Sequence, residues 1–282
     1  MPSPALQQYL SHLNSSHSAS STICLDETGR ARGRYFNSTL TSAFQAIRSA
    51  DDQCVVAYEA YARSYSSVDQ GLNIWRLLDH AANDAESVEL DRLCRILHAV
   101  NFYRQPDSAQ RDLYLSVHTR LLAAIEGNHG MAFRRILDLL GLPHQQIVLQ
   151  LPLIAPSQRW VLTHVADNYR RNGFRIGVNA ASLDQARELL ERVQPDSIKI
   201  DITHANNADA QQQLLEKAQR VNCKVIFKRI DNDARFNALQ VSNTDQYPYY
   251  LQGFLFDLPR ANLADTLDLS ATSLVNSALI AA

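Results

Sequence analysis

DSIKID, at residues 196–201, is the stretch of this sequence that decides the fold. It is a short β-type run, and the stretch before it, LDQARELLERV at residues 183–193, has helical periodicity. Ser182 followed three residues later by Gln185 is a capping box that opens this helix. A strand that follows a helix in this way is part of a βα unit, which predicts a parallel sheet covered by helices.

Similar runs recur on both sides of this unit. They are CVVAYEA near residue 54, DLYLSV near 112, QIVLQL near 146, FRIGV near 174, CKVIF near 223 and YYLQGFLF near 249. Between two of them, Ser157 precedes another helical stretch that Gly173 ends. Six or more such units over roughly 230 residues fit a (β/α) barrel, with an open doubly wound sheet as the alternative that periodicity leaves open.

Composition excludes several classes of protein. The 27 Lys and Arg residues against 29 Asp and Glu give a net charge of -2, which argues against binding nucleic acid through bulk charge. No apolar run approaches the roughly 20 residues of a membrane span, and the N-terminal residues lack a signal-peptide pattern, so we expect a soluble, cytoplasmic protein. The four cysteines lack metal-binding spacing, and no glycine-rich phosphate loop is present.

The chain divides into three predicted parts. Residues 1–34 are an N-terminal extension in which residues 27–30, ETGR, are expected to turn a hairpin. Residues 35–265 form the barrel, and residues 266–282 are a C-terminal tail.

Several segments carry a family resemblance. In chain order they are FQAI at residues 44–47, CVVAYEAYAR at 54–63, VELDR at 88–92, LSVH at 115–118, IVLQL at 147–151, DSIKID at 196–201 and QGFLFDLP at 252–259. Together they resemble the EAL domain family. The resemblance implies an α/β fold, a modified (β/α)8 TIM-like barrel of the EAL type, and a link to bacterial cyclic di-GMP signalling. Active members of the family hydrolyse cyclic di-GMP with two divalent metals.

The resemblance also assigns the catalytic positions. Glu59 stands at the glutamate of the EAL motif, and Lys199 and Asp201 stand at the family's K-I-D pair. The other positions depart from the family. His118 replaces an asparagine, Gln150 a glutamate, Asn179 and Ala180 the two aspartates of L-D-D-F-G, and Lys228 the first glutamate of V-x-A-E-G-V-E.

These departures shift the local charge by five units, one for each of three lost acids and two for the lysine. A dication beside Lys228 would be repelled, so we expect no metal, no cofactor and no catalysis. Glu59, His118 and Asp201 together remain a weak candidate set for another metal. The family's loop after L-D-D-F-G is also shortened, because Ala180 leads almost directly into a helix.

Ligand binding without metals stays open. Gln45 and Arg63 match family positions that touch the ligand, Tyr61 replaces a leucine at the mouth, and Gln252 is retained. Arg63 offers either a fork for phosphate or a salt bridge at the rim. We expect Glu59, uncompensated without its metals, to repel phosphate.

The main prediction is a catalytically inactive EAL-like regulator that acts through contact with a regulatory or motility protein. A receptor that binds cyclic di-GMP without hydrolysis is the alternative, and a residual phosphodiesterase is third.

Overall fold

The computed structural model describes residues 21–35, 38–65, 70–73, 84–119, 129–153, 159–205, 207–242 and 247–263. Within these residues the chain forms one mixed sheet and a set of surrounding helices. The strands are β1 (Ser21–Leu25), β2 (Ala31–Tyr35), β3 (Ser38–Ser49), β4 (Val55–Tyr65), β5 (Gln70–Asn73), β6 (Asp112–Ser116), β7 (Ile147–Leu151), β8 (Arg175–Ala180), β9 (Ser197–Asp201), β10 (Lys224–Lys228) and β11 (Tyr250–Gln252). The α-helices are α1 (Asp84–Tyr103), α2 (His129–Leu139), α3 (Arg159–Arg171), α4 (Leu183–Arg192), α5 (Ala208–Arg220) and α6 (Asp233–Ser242).

Eight of the strands close into a barrel. They follow the order β3, β11, β10, β9, β8, β7, β6, β4, and β4 pairs back onto β3. β3 runs antiparallel to both of its barrel neighbours, whereas the other neighbouring strands of the barrel run parallel. The predicted modified barrel is therefore confirmed, and the open doubly wound alternative is wrong, because the ring of eight strands has no free edge.

β1 and β2 form the hairpin that the sequence predicted. Gly29 occupies the turn with a φ of +75°, a conformation that glycine adopts without steric cost. β2 pairs with β3, so the hairpin extends the barrel sheet. The amide of Asn101 on α1 bonds both the N–H and the C=O of Ala31 at 2.8 Å, which fixes the hairpin to the helix. The predicted limits at residues 34 and 265 stay predictions.

The predicted capping box at α4 is confirmed. The Ser182 hydroxyl accepts a hydrogen bond from the Gln185 N–H at 3.1 Å, and the Gln185 side chain accepts one from the Ala181 N–H at 2.6 Å. Only two residues separate the end of β8 from the start of α4, as the shortened loop predicted. The other predicted cap, Ser157, lies outside the described residues.

Two layers of side chains fill the barrel interior, because every second residue of a barrel strand points inward. The lower layer is apolar and forms a cluster of its own: Ile47, Ala57, Tyr114, Val148 and Ile226. Two residues further along the same strands, toward the carboxyl ends of the parallel strands, lies the polar upper layer: Gln45, Glu59, Ser116, Gln150 and Lys228. The barrel mouth lies above this upper layer.

Candidate functional site

A cluster of polar side chains closes the barrel interior beneath the mouth. It comprises Gln45 from β3, Glu59 and Tyr61 from β4, Lys199 from β9 and Gln252 from β11, and we call it the floor cluster. Gln45 lies directly opposite Glu59 in the β3–β4 ladder, and Tyr61 shares the inward face of β4 with Glu59. The structure therefore brings together five of the residues that the sequence singled out.

Glu59 is the centre of the floor cluster. One of its oxygens, Oε2, accepts hydrogen bonds from Lys199 Nζ at 2.8 Å, from Tyr61 OH at 2.7 Å and from Gln252 Nε2 at 2.8 Å. Glu59 is buried, and Lys199 is almost wholly so, with 1% of its surface exposed. The expectation that Glu59 is uncompensated is therefore wrong, because a buried ammonium neutralises it.

The pKa values of the floor cluster follow from this pairing. Burial raises the pKa of Glu59, but the charge of Lys199 and hydrogen bonds from Lys199, Tyr61 and Gln252 outweigh it and lower the pKa below its ordinary value. Burial and the Glu59 charge raise the pKa of Tyr61 well above its ordinary value, so the phenol keeps its proton. Glu59 thus remains an anion and Tyr61 a donor near neutral pH.

Lys199 also contacts the lower layer. Its ammonium lies 4.7 Å from the centre of the Tyr114 ring, a distance suited to a cation–π interaction. It also donates a hydrogen bond to the side-chain oxygen of Gln252, Oε1, at 3.1 Å. These contacts satisfy a charge that burial would otherwise make costly.

Asn179 and Lys228 meet at the mouth. Lys228 Nζ donates to Asn179 Oδ1 at 3.0 Å, and the Asn179 amide donates to the carbonyl of Leu151 at 3.0 Å. Both residues stand where the resemblance places metal-binding acids. The structure thus puts an ammonium and an amide in contact where the family pattern has two carboxylates.

Asp201, at the end of β9, is engaged on both oxygens. Oδ1 accepts hydrogen bonds from the Thr203 N–H at 3.0 Å and hydroxyl at 2.7 Å, and Oδ2 pairs with Arg229 at 3.0 Å. Burial raises the pKa of Asp201, but the bonds from Thr203 and the charge of Arg229 bring it below its ordinary value.

Gln150, near the end of β7, is buried with 2% of its surface exposed, and neither polar atom of its side-chain amide has a hydrogen-bond partner among the described residues. The main-chain N–H of His118 donates to Asp91 at 3.1 Å, and Asp91 in turn forms a buried ion pair with Arg95. Ala180 ends β8 and is buried. Neither His118 nor Ala180 lies among the described residues that line the pocket at the mouth.

A pocket of about 500 Å³ lies directly above the floor cluster. Its lining residues are Gln45, Tyr61, Ala62, Arg63, Ser64, Lys228, Arg229, Asp231, Gln252, Gly253, Phe254 and Pro259. Arg63 is exposed and donates to the carbonyl of Pro259 at 3.2 Å. This main-chain contact is neither of the two alternatives that the sequence left open for Arg63, a phosphate fork or a rim salt bridge. Arg229 and Phe254 also line the pocket, although neither was a candidate from the sequence.

Gly253 shapes the wall of this pocket. A Cβ atom placed on it would lie 2.1 Å from the carbonyl oxygen of Ile230, so only glycine fits without moving the backbone. The glycine at this strand end therefore has a steric reason that does not depend on a ligand.

Among the residues that the structure describes, no three His, Cys, Asp or Glu side chains lie close enough to share a metal ion. The weak candidate set of Glu59, His118 and Asp201 thus lacks the required grouping. In the same part of the chain, no helix is both long and apolar enough to span a bilayer.

Comparison with known proteins gives a consistent assignment of the fold. A family model described as EAL domain matches residues 31–259. Among curated proteins, no significant match to this sequence was found.

Several solved structures superpose on the chain. The Bacillus subtilis YkuI protein, with an EAL domain and in complex with c-di-GMP and calcium, is 18% identical with a TM-score of 0.66, covering 86% of this chain and 59% of that one. Klebsiella pneumoniae BlrP1, in a manganese and cyclic di-GMP complex, is 17% identical with a TM-score of 0.65, covering 78% and 56%. A standalone EAL protein from Vibrio cholerae O395, bound to c-di-GMP, is 16% identical with a TM-score of 0.59, covering 80% and 94%. This chain thus spans less than two thirds of the first two proteins, and at these identities the likeness shows the fold alone.

Proposed function

Because this chain belongs to the EAL domain family, we propose that it is a non-catalytic regulator in cyclic di-GMP-linked control that acts through contact with a regulatory or motility protein. The single observation that carries the proposal is the bond between Lys228 and Asn179. It places a positive charge among positions where the family resemblance implies metal-binding carboxylates.

The residues present do not fit the two divalent metals of active family members. Such metals need several anionic oxygens that converge on them. Here Oε2 of Glu59 already accepts three hydrogen bonds, and Asp201 is paired with Arg229. A dication at the mouth would also face the ammonium of Lys228.

Contact with a protein is supported by apolar side chains beside the pocket. Phe254 and Leu258, on the segment after β11, have 61% and 55% of their surface exposed. Large exposed apolar groups beside a cavity are common at interaction surfaces. The cytoplasmic location expected from the sequence remains a prediction.

A second candidate is a receptor that binds cyclic di-GMP without cutting it. It is favoured by the ion pair in the floor cluster, in which Lys199 neutralises Glu59. With Glu59 neutralised by Lys199, the pocket above carries more positive than negative side chains. The main argument against phosphate binding is therefore removed.

Catalysis is tested by incubating the protein with cyclic di-GMP and either Mg²⁺ or Mn²⁺ and following the linear dinucleotide by chromatography, with an active EAL phosphodiesterase as positive control. We expect no product above the protein-free blank. Product that Glu59→Gln abolishes would overturn the proposal.

Contact with a partner is tested by affinity capture at native expression levels. We expect one protein to be recovered in stoichiometric amount, and a blank result would count against action through protein contact.

A further inference from the structure

An antiparallel sheet continues from the barrel on the side of β3 and β4. It consists of β1, β2, residues 38–41 of β3, residues 63–65 of β4, and β5, and we call it the outer sheet. One of its faces packs against α1. Ile23 and Leu40 are buried on that face, and a Cβ atom placed on Gly33 would lie 3.3 Å from Leu93 of the helix. The other face carries exposed side chains.

This exposed face of the outer sheet is basic. Arg34 on β2 lies opposite Thr39 on β3, and Arg63 on β4 lies opposite Thr41. Residues opposite each other in a ladder, and residues two apart in a strand, share a face. Arg32, Arg34 and Arg63 therefore lie on one face, and all three are exposed.

Little negative charge opposes these arginines. The acids of the hairpin, Asp26 and Glu27, both lie at its turn, where Asp26 pairs with Arg32 at 3.0 Å. Arg63 donates to a neutral main-chain carbonyl. Arg34 forms no hydrogen bond or ion pair with any residue that the structure describes. The exposed face thus keeps uncompensated positive charge on a chain whose net charge is -2.

The strand β1 is an edge of the outer sheet, because within the described ranges it pairs with β2 alone. Edge strands are usually protected against an added strand by charge, proline, a bulge or shortness. β1, with the sequence STICL, has no charged residue and no proline, and all five residues pair with β2 in one register. The opposite edge, β5, has four residues and a register shift in its pairing with β4. Only the β1 edge therefore lacks these protections.

An extended segment added to β1 would form main-chain hydrogen bonds with this edge. Its alternate side chains would lie on the exposed face, near Arg32 and Arg34, where carboxylates fit best. The side chains between them would lie on the α1 side, beside Ile23 and Leu25, where apolar groups fit best. The 20 residues before β1 contain no Asp or Glu, so this chain does not supply the acids itself from that segment. A nucleic acid has no strand-type N–H and C=O groups to pair with the edge.

We infer that β1 binds an extended segment of a partner protein as an added strand, with acidic side chains at alternate positions that contact Arg32 and Arg34. The inference rests on the proposed function, since the occupant is a protein. It adds the surface and the chemistry of the segment. The surface is separate from the mouth pocket, because neither Arg32 nor Arg34 lines that pocket.

The test is fluorescence anisotropy of four labelled probes titrated with the full chain. The first is a nine-residue peptide with Glu at alternate positions and Thr or Val between them. The second has Lys in place of each Glu, the third has Pro in place of each Thr and Val, and the fourth is a nine-nucleotide oligothymidylate. The variant is Arg34→Glu. Arg135→Glu is the matched control, because Arg135 is an exposed arginine on α2 without an ion pair in the described ranges.

We expect the parent to bind the Glu peptide, and Arg34→Glu to weaken this binding about tenfold, whereas Arg135→Glu leaves it unchanged. Arg34→Glu should bind the Lys peptide more tightly than the parent does, a reversal that a misfolded variant would not give. The Pro peptide keeps the charges but cannot pair with a strand edge, so the parent should bind it about tenfold more weakly. The thermal midpoint of Arg34→Glu should equal that of the parent, because the side chain is exposed.

The inference is overturned if the Glu peptide does not bind the parent, or if the Pro peptide binds as tightly as the Glu peptide. Tighter binding of the oligothymidylate than of the Glu peptide, lost in Arg34→Glu, would also overturn it and make the face a nucleic-acid site. Its failure is distinct from that of the proposed function. Capture of the same protein by Arg34→Glu as by the parent would contradict this surface alone, whereas a blank capture with the parent would contradict the proposed function.

Discussion

The two layers of the barrel interior differ completely in chemistry although the same strands build both. In the lower layer, Tyr114 and Ile226 belong to a small apolar cluster. Two residues further along, Ser116 and Lys228 are polar. The lower layer therefore supplies packing energy, whereas the upper layer holds charged and polar groups that must pair with one another.

The largest effect is expected from removing one partner of the buried ion pair. Lys199→Met leaves Glu59 as a buried carboxylate without its counter-charge, and we expect the free energy of unfolding to fall by about 3–5 kcal/mol. The double variant Glu59→Gln, Lys199→Met should recover much of this loss, because no buried charge remains. Urea denaturation of the parent, both single variants and the double variant measures the coupling. If the two single losses in free energy of unfolding simply added up in the double variant, Glu59 and Lys199 would not be energetically coupled, and the upper layer would not depend on paired charges.

A lower-layer variant should act through packing alone. Ile226→Ala removes buried methyl groups and leaves a cavity, so the free energy of unfolding should fall by about 2–5 kcal/mol. Because Ile226 carries no charge, this loss should not change with pH between 4 and 8. A loss that varied with pH over this range would show that the lower layer is coupled to the charges above it.

The sign of the pH dependence should reverse between the parent and Lys199→Met. In the parent the folded-state pKa of Glu59 is lowered, so its stabilising contribution is present above the ordinary value of 4.5 and lost as the pH falls below it. Without Lys199, burial dominates and raises that pKa, so the variant should lose stability as the pH rises through it.

The double variant lacks both groups and supplies the baseline for that comparison. Subtracting its pH profile cancels the contribution of other buried groups, including His98, whose pKa burial lowers to about 3. If the free energy of unfolding changed with pH in the same direction in the parent and in Lys199→Met, Lys199 would not be the group that lowers the pKa of Glu59.

The smallest effect is expected at Gln150, an upper-layer amide without a hydrogen-bond partner in the part of the chain that the structure describes. Gln150→Met has a similar volume and removes two buried polar atoms that lack hydrogen bonds, so the free energy of unfolding should rise by about 1 kcal/mol. Gln45→Met is the matched control and should be destabilising, because Gln45 bonds Gln252 and the Asp257 carbonyl. Thermal unfolding measures both, and a destabilised Gln150→Met would indicate a bound water at this amide.

Much of the barrel could be predicted because its central strands are short runs rich in Ile and Val that alternate with helical stretches. IVLQL, SIKID and KVIFK became β7, β9 and β10. The run near residue 249 is shorter than its pattern, since β11 ends at Gln252 and the chain turns at Gly253 against Ile230. Backbone proximity of that kind leaves no trace in hydrophobic periodicity.

The site was predictable residue by residue but not as a set of contacts. The family positions identified Glu59 and Lys199 separately, yet these residues are 140 positions apart in the chain, and their pairing depends on the closure of the barrel. Arg229 had a signal that went unused, namely an arginine at a position where the family pattern has glycine. Only the backbone angle shows that the glycine conformation was kept.

Gly253 has a consequence for the width of the mouth. Its Cα lies against the backbone of Ile230, so the ends of β10 and β11 meet with no side chain between them. Even one methyl group there would act as a wedge that pushes Arg229 outward from the pocket floor without altering any charge. Position 253 therefore sets the distance between Arg229 and Gln252. Alanine there would change the width of the cavity opening without changing its charge.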